Sequence, residues 1–224
     1  MALRKKEISA LVSTLTLGMD KIDLSKSKIG VIGHKGGVGK STLAMQIALA
    51  CGLKIVDLDA YGTLGSRLDN VLSFGEDEEI YLPKNGYVVD FGGYAHQLED
   101  DIIAELDLLI VPFYPDELIV ETTYNMLNGF EENDTPILFV ANRIKTKDEK
   151  LAQSAVELFD SLAESQTTSF ATIYASDAIV SATRGDYSVV AKALTGKGLE
   201  QSNNITVAMQ FLELFKQIQI LGEK

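Results

Sequence analysis

A glycine-rich segment, HKGGVGKST at residues 34–42, most constrains the fold of this 224-residue chain. A short apolar run, KIGVIG (28–33), precedes it, and a helical pattern, STLAMQIALACG (41–52), follows it. The order of strand, glycine loop and helix is that of a phosphate-binding P-loop, G-x-x-x-x-G-K-[ST]. In such a loop the backbone N–H groups cradle phosphates at the start of a helix. The segment therefore predicts a nucleotide-binding α/β domain.

The loop departs from the usual pattern at its start. Counting back from Lys40, the first glycine should fall at residue 34, where the chain has His34, and Lys35 follows as a second lysine. Lys40 is expected to contact the β- and γ-phosphates, and Ser41 to ligate Mg²⁺ through its hydroxyl. The residues expected to hold the nucleotide here are Gly36, Gly37, Val38, Gly39, Lys40, Ser41 and Thr42.

Further apolar runs alternate with helical patterns. The runs predict strands at 53–59, 86–93, 106–113, 136–142 and 170–176, and the helical patterns lie at 95–105, 115–130, 147–165 and 204–221. Such alternation predicts a mostly parallel sheet covered by helices on both faces, in a single-domain P-loop NTPase fold. Residues 1–27 precede the first strand and are predicted to form a helical N-terminal extension, with the ATPase domain spanning 28–224.

Three aspartates end the second and third predicted strands. Asp57 and Asp59 end the second, and Asp90 ends the apolar part of GYVVDFGG (86–93). Ligands of parallel sheets bind at the carboxyl ends of strands, so these acids are expected beside the phosphates. We assign Asp57 and Asp90 to the metal, Asp59 to the attacking water, and the Gly93 N–H to the γ-phosphate. An ordinary strand-end or capping role for either Asp57 or Asp59 remains an alternative.

The segment ANRIK (141–145) indicates which base is bound. Guanine readers usually have N-K-x-D at this place, where the aspartate accepts hydrogen bonds from guanine. Here Lys145 stands at that position and cannot accept, whereas Asn142 can still serve adenine. ATP is therefore favoured over GTP, and a turn at the strand end is the alternative role of Asn142.

Charge and cysteine content exclude several classes of protein. The net charge is −12, and residues 41–133 carry 3 basic and 18 acidic side chains, which argues against a strong general nucleic-acid binder. The one cysteine, Cys51, excludes an internal disulfide and a multi-cysteine metal site and favours a reducing, cytoplasmic location. No run approaches the roughly 18 apolar residues of a membrane span, and the N-terminal segment lacks the pattern of a cleaved signal peptide.

The loop resembles the deviant Walker A motif, K-G-G-x-G-K-[ST], of the ParA/MinD family of ATPases. Four later segments resemble the same family: IVDLDAYGTLGSRL, YVVDFGG, LDLLIVPFYPDELIVETTYNML and YASDAIVSATRGDYS. The resemblance covers roughly residues 28–220 and is most specific at the P-loop. The chain departs from the family at Ala60-Tyr61, where many ParA proteins have Pro-Gln after the second aspartate.

This resemblance implies a Mg²⁺-dependent ATPase that forms a homodimer when it binds ATP. In the family the first lysine crosses to the phosphates of the other subunit, which implies that Lys35 acts in trans. Lys35, Lys40 and Asp59 are then the residues expected to carry catalysis. An activating partner protein, ParB-like or equivalent, is also implied.

Among the functions of the family, partition of plasmid or chromosomal DNA, or positioning of another large cargo, is favoured. The single cysteine argues against reductases and metal-cluster carriers, and the absence of a C-terminal tyrosine cluster argues against tyrosine autokinases. The final helical pattern carries one basic residue, Lys216, so membrane binding is not expected. The alternative is a nucleotide-switched adaptor or a MinD-like regulator that acts on a protein or membrane surface.

Weak, non-specific DNA binding is expected if DNA is the track, and the protein would then associate with the nucleoid. Arg184 is the first candidate, because its segment resembles a DNA-contacting segment of the family. Arg143 and Lys145 compete with it but lie near the proposed adenine pocket. A solvated surface position is an equal alternative for each of the three.

Overall fold

The strands form one parallel sheet. The computed structural model describes residues 4–33, 35–59, 62–74, 78–92, 99–127, 134–162 and 167–223. Within these ranges there are seven strands: β1 (Lys28–Val31), β2 (Lys54–Asp57), β3 (Val71–Ser73), β4 (Tyr87–Asp90), β5 (Leu108–Phe113), β6 (Ile137–Ile144) and β7 (Thr168–Tyr174). Their spatial order is β3-β2-β4-β1-β5-β6-β7, and each pair of neighbours runs parallel.

Helices connect and cover these strands. The described residues contain eight α-helices and a short 3₁₀ helix at Thr146–Asp148: α1 (Lys5–Met19), α2 (Lys40–Cys51), α3 (Glu99–Ile103), α4 (Glu117–Leu127), α5 (Glu149–Leu162), α6 (Asp177–Arg184), α7 (Val189–Thr195) and α8 (Leu199–Gly222). The predicted α/β fold with a parallel sheet is confirmed. Residues 95–98 of the predicted helix 95–105 lie outside the described residues. The prediction has no counterpart of β3 or α7, which are short elements without a long apolar pattern.

Alternate residues of each central strand face opposite sides of the sheet, as a pleated strand requires. In β5, Leu108 and Ile110 belong to one hydrophobic core, whereas Leu109 and Val111 belong to the other. Helices α1, α2, α7 and α8 cover the first core, and α3, α4 and α5 cover the second. Burial on both faces explains why these strands read as continuous apolar runs.

The N-terminal helix α1 packs on the C-terminal helix α8. Leu15 is fully buried in the first core, and the backbone N–H of Asp23 donates to Gln219 Oε1 over 3.0 Å. A Cβ atom at Gly18 would lie 2.5 Å from a methyl carbon of Leu212, so glycine permits the close approach of the two helices. The predicted helix in residues 1–27 is therefore observed and joins the core, whereas its status as a separate extension stays a prediction.

Helix α8 buries its apolar stripe against the sheet. Ten of its residues are buried, among them Phe211, Phe215 and Ile218. Complete burial of one such side chain contributes about 1.5–3 kcal/mol to folding. Among the described residues, no helix has the length and apolar character needed to cross a membrane.

Candidate functional site

The P-loop lies between the end of β1 and the start of α2. Gly37 and Gly39 have φ angles of 84° and 101°, a left-handed conformation that glycine adopts without steric cost. Helix α2 begins at Lys40, so the unpaired N–H groups of its first turn adjoin the loop. This geometry creates an anion-binding site at the helix N-terminus. His34 lies outside the described residues.

Asn142 anchors the loop from the end of β6. Its Nδ2 atom donates to the carbonyl oxygen of Val38 over 2.8 Å, and the residue is buried. A Cβ atom at Gly39 would lie 2.1 Å from that nitrogen, so the contact requires glycine at this position. Asn142 therefore has a structural role in the loop, and its recognition of adenine stays a prediction.

The two lysines of the loop have different environments. Lys40 is 7% exposed, and its Nζ atom donates to the carbonyl oxygen of Lys35 over 3.5 Å. No carboxylate forms a salt bridge with Lys40 within the part of the chain that the structure describes. The Lys35 side chain is exposed. A buried cation in a loop lined by N–H groups is a site for an anion.

Asp90 is the most deeply buried acid of the site. It lies beside Asp57 on neighbouring strands and is 1% exposed. Burial raises its pKa to about 7, and the nearby carboxylates of Asp57 and Asp59 also raise this pKa. The Ser41 hydroxyl and the Lys40 ammonium group lower it. Although Ser41 is close enough to influence this pKa, neither carboxylate oxygen of Asp90 has a well-aligned hydrogen-bond partner among the described residues. A buried acid without such a partner needs an explanation, and a bound ion is one that fits the chemistry of this site.

The carboxylate of Asp57 organises the loop that follows β2. Burial raises its pKa, whereas backbone N–H groups of Asp59, Gly65 and Leu64 lower it by hydrogen bonding. The bond from the Asp59 N–H to Asp57 Oδ1 measures 3.1 Å. A Cβ atom at Gly62 would lie 2.5 Å from Asp57 Oδ2, so the loop wraps closely around this side chain. Asp57 thus has backbone partners, and its predicted role at the metal stays a prediction.

A pocket of about 780 Å³ extends from the P-loop to helix α6. We call it the nucleotide pocket. Its lining comes from the P-loop and α2, from the ends of β2, β6 and β7, and from α6: Gly36, Gly37, Gly39, Lys40, Ser41, Thr42, Asp59, Asn142, Arg143, Ala175, Ser176, Asp177, Ile179, Val180, Thr183 and Arg184. The structure therefore brings most of the predicted site residues to one pocket. Gly93 lies outside the described residues.

The candidate DNA-binding residues separate into two groups. Arg143 and Arg184 line the nucleotide pocket, and Arg143 donates to the carbonyl oxygen of Gly37 over 3.5 Å. Arg143 also has a φ angle of 59°, which is uncommon for a residue with a side chain. Lys145 is exposed and is not part of the lining. A DNA contact by any of the three stays a prediction, and Lys145 is the one placed outside the pocket lining.

Sequence reasoning did not identify the wall that α6 contributes. Ser176 caps this helix by accepting from the Ala178 N–H over 3.1 Å, which fixes where α6 starts. Ile179 and Val180 then face the pocket, and Val180 remains 47% exposed. The signal in the sequence is the apolar triplet AIV (178–180), which follows a strand, the serine cap and Asp177.

The acids do not form a metal cage of protein ligands alone. No group of three or more His, Cys, Asp or Glu side chains within the described ranges has the geometry to hold a metal ion. Mg²⁺ commonly binds through one or two carboxylates together with substrate phosphates and water. Asp90 with its two orphaned oxygens and the neighbouring Ser41 hydroxyl fit that kind of site.

Comparisons with known proteins agree on the fold. No protein-family model matches the chain, and no curated protein matches it. McdA from Cyanothece in complex with ATP is similar in structure, with a TM-score of 0.59 and 11% identity over 87% of this chain and 96% of McdA.

Two further structures are similar. MinD from Aquifex aeolicus has a TM-score of 0.54 and 16% identity over 84% of this chain and 97% of MinD, and it is also solved in complex with MinC. A ParA family ATPase from Chlorobium tepidum has a TM-score of 0.53 and 16% identity over 83% of this chain and 99% of that protein. At these identities the likeness concerns the three-dimensional structure, and this chain has the fold of the ParA/MinD-type P-loop ATPases.

Proposed function

We propose that the protein is a Mg²⁺-dependent ATPase that uses ATP binding and slow hydrolysis to position DNA or another large cargo. The observation that carries this proposal is the pair formed by Lys40 and Asp90 at the P-loop. One is a buried cation without a salt bridge, and the other is a buried acid without a well-aligned hydrogen-bond partner, both among the described residues. A bound magnesium nucleotide would satisfy both at once.

The phosphates would lie in the loop between β1 and α2. Backbone N–H groups around Gly37 and Gly39 would donate to them, and Lys40 would offset their charge from inside the loop. The length of the pocket from this loop to α6 leaves room for a nucleoside beyond the phosphates. ATP is the triphosphate we favour, since McdA, a structural neighbour, is solved with ATP and since Lys145 cannot accept a hydrogen bond from guanine.

Asp90 and Ser41 would hold the metal ion. When bound, Mg²⁺ would neutralise charge on the phosphate oxygens and stabilise the charge that develops during transfer. The two oxygens of Asp90 are buried and lack aligned donors among the described residues, so a metal ion beside Ser41 would supply the partner that this acid lacks. Asp57 shares its edge of the sheet and would act through water or through the loop it organises.

Asp59 would orient the attacking water. It lines the nucleotide pocket, and its backbone N–H donates to Asp57, which fixes the chain at this point. Gly92 packs against it from the next strand end, where a Cβ atom would lie 3.2 Å from Asp59 Cα. A carboxylate held at the pocket lining is suited to position water by hydrogen bonding.

Dimerisation would depend on Lys35. The Lys35 side chain is exposed, whereas its backbone carbonyl oxygen accepts from Lys40 Nζ. The Lys35 ammonium group is therefore available to a second molecule. We expect ATP to convert monomers to dimers and Lys35→Ala to abolish that conversion, because the variant lacks the cation that reaches the partner's phosphates. Nucleotide binding by the monomer should change little. Light scattering of both proteins with ATP and with ADP measures the effect.

The matched control is Lys54→Ala, which removes an exposed lysine at the amino end of β2. The P-loop lies at the opposite, carboxyl ends of the strands. That variant should dimerise with ATP as the wild type does. If Lys35→Ala formed a dimer as stable as that of the wild type, Lys35 would not be part of the interface. The ATPase proposal would be unaffected.

DNA is the track we favour, held weakly by basic residues outside the nucleotide pocket. A dimer has a charge of about −24, twice the −12 of one chain, so a local patch would have to overcome long-range repulsion from phosphate. We expect the ATP-bound protein to be retained on duplex DNA at low salt and released as salt rises. Lys145→Glu should reduce retention several-fold without changing ATP affinity, and Lys54→Glu should not. Surface-bound DNA of two unrelated sequences provides the measurement.

The second candidate is an adaptor whose nucleotide state controls binding to another protein. It is favoured by the acidity of the chain and by the MinC complex of a structural neighbour, MinD from Aquifex aeolicus. If the ATP-bound wild type is not retained on DNA even at low salt, this adaptor function replaces DNA as the track, while the ATPase proposal is unaffected.

A further inference from the structure

The turn between α6 and α7, residues 185–188, is bonded to two distant parts of the chain. The turn itself is irregular, with Asp186 at a φ angle of 54°. It follows directly on Thr183 and Arg184, which line the nucleotide pocket. Any movement of the turn would therefore move one wall of the pocket.

Arg67 fastens the turn from the loop between β2 and β3. One of its guanidinium nitrogens donates both to the Thr183 carbonyl oxygen and to the Asp186 carboxylate. The ion pair is partly buried, with side-chain exposures of 30% for Arg67 and 31% for Asp186. Hydrogen bonds from a charged donor are stronger than those between neutral groups.

Gln46 fastens the same turn from helix α2. It is 1% exposed and uses both ends of its amide, with Nε2 donating to the Tyr187 carbonyl oxygen and Oε1 accepting from the Val189 N–H, each over 2.9 Å. The amide is thus fully engaged in holding the start of α7. Because α2 begins in the P-loop, the two hydrogen bonds of Gln46 connect the turn to the helix that starts at the phosphate end of the pocket.

Arg67 is itself held in place by Asp57. The Arg67 N–H and the Leu68 N–H both donate to the Leu64 carbonyl oxygen, each over 3.0 Å, which makes a short helical turn. The Leu64 and Gly65 N–H groups in turn bond to the Asp57 carboxylate. A continuous series of hydrogen bonds therefore runs from the end of β2 to the α6 side of the pocket.

We propose that Arg67 is a positioning residue that holds the Thr183–Asp186 end of α6 in place as the nucleoside-side wall of the nucleotide pocket. This rests on the proposed function, because it assumes that the pocket binds a nucleotide. With the phosphates at the P-loop, α6 is at the far end of the pocket and faces the nucleoside. Arg67 is not among the residues that line the pocket and would act through its bonds to Thr183 and Asp186.

This geometry predicts how Arg67→Ala changes nucleotide binding. ATP and ADP share the nucleoside, so their dissociation constants should both rise by about tenfold, the loss expected for a charge-assisted hydrogen bond. Arg67→Lys keeps one cationic donor and should restore part of the affinity. Asp186→Ala removes one of the two acceptors and should weaken binding less than Arg67→Ala. Titration with fluorescent ATP and ADP measures all four proteins.

A second readout does not require a nucleotide. In the ligand-free protein, amide hydrogen exchange within 177–189 should be faster in Arg67→Ala than in the wild type, and exchange in β5 and β6 should be unchanged. Arg4→Ala is the matched control, because Arg4 also pairs with an acid, Glu7, but on α1. Its binding and exchange should equal those of the wild type.

The outcomes distinguish the two proposals. Equal affinity and equal exchange in Arg67→Ala and the wild type would overturn the role of Arg67 and leave the ATPase proposal intact. A wild type that binds neither ATP nor ADP would overturn the proposed function and this inference with it. If Arg67→Ala unfolds, Arg67→Lys and Asp186→Asn, which preserve side-chain size, decide the matter by the same two measurements.

Discussion

Replacing Lys40 with alanine is expected to reduce ATP affinity by at least about a hundredfold, because it removes the one cation buried in the phosphate loop among the described residues. The ammonium group is held near the Lys35 carbonyl oxygen and is 7% exposed. A charged donor in so dry a site contributes more to binding an anion than it would at the surface. Without it, the backbone N–H groups of the loop would have to bind the triphosphate alone.

Calorimetric titration with MgATP measures this loss, and circular dichroism checks that the variant is folded. Lys54→Ala again serves as the control, because it removes an equal charge from an exposed site at the amino end of β2, away from the P-loop. ATP affinity should be unchanged in that variant. If Lys40→Ala bound ATP as tightly as the wild type, the triphosphate would have to lie elsewhere and the proposed function would fail.

The parts of the site that could be predicted from the sequence are those encoded locally. The P-loop is one continuous segment, and its glycines are needed at the φ angles of 84° and 101° that Gly37 and Gly39 adopt. Asp90 could be placed beside the loop because it ends an apolar strand, and the carboxyl ends of parallel strands share one edge of the sheet. The register that pairs Asp57 with Asp90 agrees with this expectation.

The parts that could not be predicted depend on contacts between distant segments. Asn142 is separated by 104 residues from Val38, whose carbonyl oxygen it binds, and Arg67 by 119 residues from Asp186. Neither pairing has a spacing or a composition that would reveal it in one sequence. Arg184 was expected to contact DNA because of its segment's resemblance; the structure adds that it lines the nucleotide pocket, and its DNA contact stays a prediction. Strand β3 has three residues at the sheet edge, too few for a periodic signal.

Replacing Asp90 with asparagine is expected to stabilise the ligand-free protein and to reduce strongly the Mg²⁺-dependent ATP hydrolysis proposed for it. Burial raises the pKa of Asp90 from 3.8 to about 7. Between these values the folded protein keeps a proton on Asp90 that the unfolded chain has released. The free energy of unfolding therefore falls as the pH rises from about 4 to about 7, by roughly 4 kcal/mol in total, and is level above that range.

Asparagine has nearly the same shape and does not ionise, so the variant should lack this loss. Without nucleotide or metal, its advantage in unfolding free energy should grow by about 2 kcal/mol between pH 5.5 and pH 8. Denaturant unfolding at the two pH values measures the difference. Asp160→Asn, which neutralises an exposed acid on α5, is the control variant.

Magnesium and ATP should reverse the order of stability of the two proteins at pH 8. A bound divalent cation favours the ionised form of Asp90, so the wild type gains the binding free energy that the neutral amide forfeits. ATP hydrolysis by Asp90→Asn should fall on the order of a hundredfold, because an amide is a poor substitute for a carboxylate at Mg²⁺. If the variant were less stable than the wild type at pH 8 without ligands, burial would not raise the pKa of Asp90. In that case the raised pKa of Asp90 would be wrong, and its place at the metal would rest on its unpartnered oxygens and on the loss of hydrolysis.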